Sequence, residues 1–177
     1  GKLAGRGAVQ RPSIEIELLP CLTTAWEMFR QHHYLDANLN KSARCWLAVW
    51  DGVPVGFSAI IAMPNGNLKR AWRGHRTVVL PDFQGLGIGV RISDAMGEIV
   101  LRDGGRYFSK TANHRMGQYR ESSPLWKPTA KNRKARPDYS SDRPTKEASY
   151  KMRHTERLCF SHEYIGKAIM EAQRDCR

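Results

Sequence analysis

Apolar and polar side chains alternate where the chain first shows order. Ile14, Ile16 and Leu18 are separated by Glu15 and Glu17, the period of a half-buried strand, and Leu19-Pro20 is expected to end it. The spacing then becomes helical, with Trp26, Phe29 and His33 on one side and Thr23 or Thr24 placed to cap the segment. Two apolar, β-rich runs, Trp46–Trp50 and Val55–Ala62, flank Asp51-Gly52-Val53-Pro54, whose turn chemistry predicts a hairpin of antiparallel strands. Arg76–Leu80 reads as a short buried strand. Ile88, Ile92, Met96, Ile99 and Val100 recur at helical intervals up to Asp103-Gly104-Gly105, which predicts an amphipathic helix. Tyr107–Thr111 and Leu158–Ile165 read as further strands, and Lys167–Arg177 as a terminal helix.

Residues 1–12 are Gly-rich and basic and are expected to be flexible; residues 13–177 are expected to form one domain. Between Arg120 and Arg157 the periodicity fades, and Pro124, Pro128, Pro137 and Pro144 recur among charged and small side chains. That predicts a basic, Pro-containing insertion at about 120–157.

The chain has 177 residues, 41% of them apolar, which suits a single core and excludes two large domains. Its net charge of +12 favours an anionic partner. The excess is uneven: residues 120–157 hold 11 basic and 5 acidic side chains, half of the total excess. Lys127 to Arg136 carries five bases and no acid. With Trp126 and Tyr139 at its flanks for stacking, this stretch reads as a nucleic-acid contact. It reads equally as a solvated loop or as a cover for a cofactor phosphate. Four cysteines, Cys21, Cys45, Cys159 and Cys176, are scattered without a C-x-x-C pair, as free thiols in a reducing, cytoplasmic setting would be. No zinc spacing, membrane-length apolar run or signal peptide is visible, so neither a metal nor a membrane is expected.

The sharpest local feature is Val79-Leu80-Pro81-Asp82-Phe83-Gln84-Gly85-Leu86-Gly87-Ile88-Gly89, which joins the Arg76–Leu80 strand to the amphipathic helix. The first turn of a helix offers N–H groups without intrahelical partners, and glycines let a phosphate reach them. The plainer reading is a tight turn whose glycines solve a backbone problem. A Walker loop does not fit, because Gly89 is followed by Val90-Arg91 instead of Lys and Ser or Thr. A dinucleotide fingerprint fits no better, since Gly85, Gly87 and Gly89 are spaced by two.

This segment resembles the acetyl-CoA-binding signature of the GNAT N-acetyltransferase superfamily, with Gln84, Gly87 and Gly89 at the three positions of Q/R-x-x-G-x-G/A. The resemblance covers residues 13–119 and implies an α+β fold: a mixed, mostly antiparallel sheet flanked by helices, with a V-shaped cofactor cleft beside the Tyr107–Thr111 strand. It implies an N-acyltransferase that passes an acetyl group from acetyl-CoA to an amine by direct attack on the thioester. The pyrophosphate would rest on Gln84, Gly85, Leu86, Gly87, Ile88 and Gly89. The pantetheine would run along Thr77, Val78 and Val79, with a main-chain N–H near Val79 polarising the thioester carbonyl. Asn113 and Tyr119 resemble the family's cofactor-contacting Asn and its Tyr acid, although six residues separate them here. His75, at alternate positions with Thr77 and Val79, is the candidate base, with His114, His32 and His33 behind it. The family's Y-x-x-x-G-F continuation is absent after Tyr119.

A fainter likeness runs from Ser109 to Tyr119, with Trp126 and His162–Gly166, to phage Mom-like proteins that modify DNA adenine. The same stretch is similar to acetyltransferase-type domains fused to ABC-type ATPases. A nucleic-acid-binding or base-modifying protein, or a non-catalytic module of the same fold, is therefore the alternative expectation.

Overall fold

The computed structural model describes residues 14–33, 38–64, 66–135 and 158–166. Strand β1 (Glu17–Cys21) lies at one edge of the sheet, antiparallel to β2 (Arg44–Trp50). It runs through Leu19-Pro20 and does not stop there, with Pro20 opposite Trp46. An edge strand needs ladder bonds on one side only, so a missing N–H can face away at no cost.

The helical spacing after it is realised as two 3-10 turns, Thr23–Met28 and Arg30–His32. Leu22, not either threonine, occupies the N-cap, and no side chain caps the turn. Three residues per turn brings Trp26 and Phe29 to the same side, where both are buried against Phe57.

Strand β2 turns into β3 (Val53–Ala62) over Asp51-Gly52 alone, with φ of 48° and 77°. Two residues in the left-handed region match the twist of a hairpin, so Val53 and Pro54 join the strand. Strand β4 (Ala71–Val79) begins well before Arg76 and pairs antiparallel with β3. Helix α1 (Ile88–Arg102) buries Ile88, Ile92, Met96 and Val100 as the periodicity demands. It leads to β5 (Arg106–Thr111), then helix α2 (His114–Ser122), β6 (Trp126–Pro128), β7 (Lys134–Ala135) and β8 (Leu158–Tyr164).

The strand order is β1-β2-β3-β4-β5-β8-β6, with β7 also on β8. Among the described strands only β4 and β5 pair in parallel, so the α+β, mostly antiparallel sheet expected from the sequence is what the chain forms. Within the insertion expected at about 120–157, α2 continues to Ser122, and β6 and β7 lie on β8. Thr129 donates from its N–H to the Ser161 carbonyl, and Asn132 Oδ1 accepts from the Ser161 N–H, so the flap between the two strands is stitched down as well. Residues 1–12, 136–157 and the expected terminal helix at 167–177 lie outside the described residues.

Both α-helices pack on one face of the sheet. A Cβ at Gly117 of α2 would fall 2.2 Å from the Phe160 ring, so only glycine lets that helix approach β8 so closely. The opposite face is covered over β2, β3 and β4 by the 3-10 turns, through Trp26, Phe29, Cys45, Phe57, Ala59 and Val78. No described helix is long and apolar enough to cross a membrane.

Candidate active site

Strands β4 and β5 pair only from Ala71 to Arg73 and from Arg106 to Phe108. Beyond that, β4 stays with β3 up to Val79 and β5 stays with β8 up to Thr111, so a wedge opens between them. At its apex Gly74 faces Tyr107 and Ser109, whose hydroxyls lie 2.9 and 3.0 Å from where a Cβ would stand. His75 is the extra residue of a bulge, where the register moves from Ala59–Arg76 to Ile60–Gly74. Leu80 donates its N–H to Val55 on the β3 side. The alternation of the strand therefore turns the N–H groups of Thr77 and Val79 into the wedge. The Val78 side chain is buried on the face of the 3-10 turns.

At the wide end of the wedge the chain makes the glycine turn. Gln84 closes it: its N–H bonds to the Pro81 carbonyl, and its Nε2 donates to the Val79 carbonyl at 2.9 Å. Gln84 thus holds the turn to the strand, and the open donors begin one residue later. From Gly85 to Val90 no backbone N–H has a protein partner among the described residues; the first to regain one is Arg91, on the Gly87 carbonyl. Gly85 and Gly87 have φ of 86° and 81°, and Gly87 is the N-cap of α1 without a side-chain cap. Nothing stands within 4 Å of a Cβ at either glycine, so the approach is clear. Such a cradle of unpaired N–H groups at a positive helix end suits a pyrophosphate. A Cβ at Gly89 would stand 3.5 Å from Val79 Cγ2, an ordinary contact, so packing alone does not demand glycine there.

The remaining expected residues are placed around α2. Asn113 is its N-cap, with Oδ1 accepting from the Met116 N–H at 3.0 Å. Tyr119 is half-buried and donates its hydroxyl to Asp94 Oδ2 on α1. Burial first, and that hydrogen bond second, push its pKa up, so it holds its proton at neutral pH. His75 lies at the rim of the wedge, where Nε2 accepts from the Asn40 N–H at 3.1 Å. His114 is exposed beside the Phe160 ring, and His32 and His33 remain on the 3-10 turn, away from α2.

The periodicity gave no sign of the buried polar cluster behind Tyr119. Asp94 accepts from Trp126 Nε1 at 2.7 Å as well as from Tyr119. Arg120, buried and seven residues after Asn113, donates Nη2 to Ser93 at 2.8 Å and lies 4.5 Å from the Trp126 ring centroid. Its Nε and Nη1 have no hydrogen-bond partner among the described residues. Burial pulls its pKa below the ordinary value, with Tyr107 and then Asp94 opposing that pull, and the Trp126 ring adds a cation–π contact. Tyr119 and Trp126 stand out in the sequence, but nothing there joins them to Asp94 or Arg120.

The Acetyltransferase (GNAT) family model matches residues 11–118, more than half of the chain. No curated protein matches. Among solved structures, the ribosomal-protein-S18-alanine N-acetyltransferase of Escherichia coli is 12% identical, with a TM-score of 0.58 over 85% of this chain and 93% of that one. Naa50 of Arabidopsis thaliana, in complex with a bisubstrate analogue, is 12% identical, with a TM-score of 0.56 over 84% and 97%. An acetyltransferase of Bacillus subtilis in complex with CoA is 14% identical, with a TM-score of 0.55 over 86% and 98%. At these identities the likeness is one of fold. It lends nothing to the likeness to Mom-like proteins or to ABC-ATPase fusions. With the signature turn, the wedge and the family match in agreement, this chain belongs to the Acetyltransferase (GNAT) family.

Proposed function

We propose that the protein is an acetyl-CoA-dependent N-acyltransferase that moves an acetyl group onto an amine. The observation that carries the reading is the run of unpaired N–H groups from Gly85 to Val90, opening beside a wedge lined by the N–H groups of Thr77 and Val79. Acetyl-CoA, when bound, supplies an acyl group activated as a thioester. The Gly85–Val90 N–H groups hold its diphosphate. Thr77 and Val79 pair with its amide-bearing arm as an added strand would. Because the Val79 carbonyl is already taken by Gln84, Val79 contributes its N–H, which stabilises the negative charge that grows on the thioester oxygen. The amine nitrogen bonds to the carbonyl carbon as the carbon–sulfur bond breaks; the nitrogen loses a proton and the thiolate gains one.

Tyr119 is assigned the proton donor's role, because burial and Asp94 keep it protonated, and Asn113 a cofactor contact at the N-cap of α2. His75 sets the rim of the wedge through Asn40, and it serves as base once that hydrogen bond is released. Calorimetric titration with acetyl-CoA tests the first half: submillimolar affinity is expected, and its absence refutes the reading. Tyr119→Phe tests the second. It should bind acetyl-CoA as the wild type does and lose about tenfold or more in turnover. Unchanged turnover removes Tyr119 from the chemistry. Binding without turnover on any amine identifies a non-catalytic module.

A further inference from the structure

The face of the sheet opposite α1 and α2 is not treated alike along its width. Over β2–β4 it is covered by the 3-10 turns; over β5, β8 and β6 none of the described helices packs on it. Gly74, Tyr107 and Ser109 look towards the helices, so alternation sends Arg73, Arg106, Phe108 and Lys110 to this other face. Across the ladder they meet Ser161 and Glu163 of β8, and beyond those Lys127 of β6. Arg106 is answered by Glu163 in a two-pronged ion pair at 2.6 and 2.8 Å, and its guanidinium lies 5.2 Å from the Phe108 ring centroid. Arg73, Lys110 and Lys127 are exposed and have no ion pair among the described residues. Lys131 and Lys134 carry the same sign onward along the flap, also exposed.

We propose that this face, from Arg73 through Lys110 to Lys127, is a landing surface for single-stranded nucleic acid. Lys110 and Lys127 are separated by two strand spacings, on the order of 10 Å. That is too wide for one phosphate group and suited to a chain of them. The Arg106 guanidinium over the half-buried Phe108 ring sets a cation–π pair among these cations, the kind of element on which a base stacks. The flap is fastened to β8 through Thr129 and Asn132, so its lysines are presented from a fixed strand. The surface borders the wedge at Lys110, where β5 has left β4. If the preceding reading holds, nucleic acid held there lies beside the wedge that takes the acetyl donor; the surface itself does not depend on that reading.

The experiment is fluorescence anisotropy of a labelled oligothymidine of about a dozen nucleotides, titrated with the full chain at several salt concentrations. Submillimolar binding is expected, with log K falling linearly in log salt by about 0.7 for each phosphate neutralised. Arg73→Glu, Lys110→Glu and Lys127→Glu together should weaken it about 100-fold at low salt and flatten the slope by roughly 2. Arg30→Glu, the same change of charge on the covering turns, should have little effect. Single glutamine replacements of the three exposed cations give a graded version if the triple variant loses its fold. No binding by wild type, an equal effect of Arg30→Glu, or an unchanged slope in the triple variant overturns the proposal. Equal competition by polyglutamate of matched charge also overturns it, in favour of an acidic peptide. Acetyl-CoA calorimetry on the same preparation separates the two readings, since either ligand can bind when the other does not.

Discussion

The sheet has two halves that are stabilised in different ways. From β2 to β4 both faces are covered and the contacts are apolar: Phe57 lies beneath Trp26 and Phe29, while Val55 and Ile60 meet α1 from the other side. From β5 to β6 the interior holds Asp94, Arg120 and His162, all buried, among the rings of Tyr107, Trp126 and Tyr164. An apolar contact loses energy in proportion to the atoms removed, whereas a buried polar contact fails as soon as one partner is missing. The first half is therefore tolerant of exchange and the second is exacting. The wedge between β4 and β5 opens along the boundary, with a rim set by a bulge on one side and by the polar cluster on the other.

The largest expected effect tests this contrast with a substitution that changes no shape. Asp94→Asn keeps the volume but leaves one acceptor where two stood: its oxygen stays with Trp126 Nε1, and its amide N–H2 meets the Tyr119 hydroxyl, which must then accept instead of donate. It also removes the charge beside Arg120. The loss should be about 3 kcal/mol in chemical denaturation. Ile60→Val, a larger change in shape at a wholly buried site of the first half, should cost only about 1 kcal/mol. If the two variants lose equal stability, the halves do not differ in kind.

That difference also decides what could be read from the sequence. Periodicity reports the faces of α1 and the β2–β3 hairpin because each apolar side chain there carries its own tendency to be buried. The glycine turn was legible for a similar reason: Gly85 and Gly87 answer a local backbone demand, and their sequence context does the rest. Tyr119 was visible as a residue, but its partner was not. Asp94 lies on another helix, and nothing in the run Ile92-Ser93-Asp94-Ala95 announces that a carboxylate is to be buried. The strands β6 and β7 escaped notice because three and two residues carry no period, and pairing with β8 alone orders them. Glu121 shows the same thing in one residue. It sits in an apparently featureless charged stretch, yet it accepts from Asn132 at 2.6 Å and pairs with Arg133 at 3.3 Å, tying the flap to α2.

The smallest expected effect follows from that tie. His162 is wholly buried on β8, and its Nε2 lies 3.3 Å from Glu121 Oε1. Burial pulls its pKa below the ordinary 6.5, and the pull of Glu121 in the other direction does not reverse this. Asn132 foremost, with help from the Arg133 and His162 charges, holds the Glu121 carboxyl below its own ordinary 4.5. Both groups therefore bind fewer protons in the folded chain than in the unfolded one over their windows, and stability must fall as pH falls. The histidine contribution is fully present above pH 6.5 and is lost first on acidification; the carboxylate contribution follows below 4.5. A thermal midpoint measured against pH should thus decline in two stages. His162→Gln should remove the upper stage and leave the lower one, while Ile60→Val should shift the whole curve down without changing its shape. A profile for His162→Gln parallel to that of the wild type would mean that the histidine carries no proton linkage, and that the polar half answers to packing as the apolar half does.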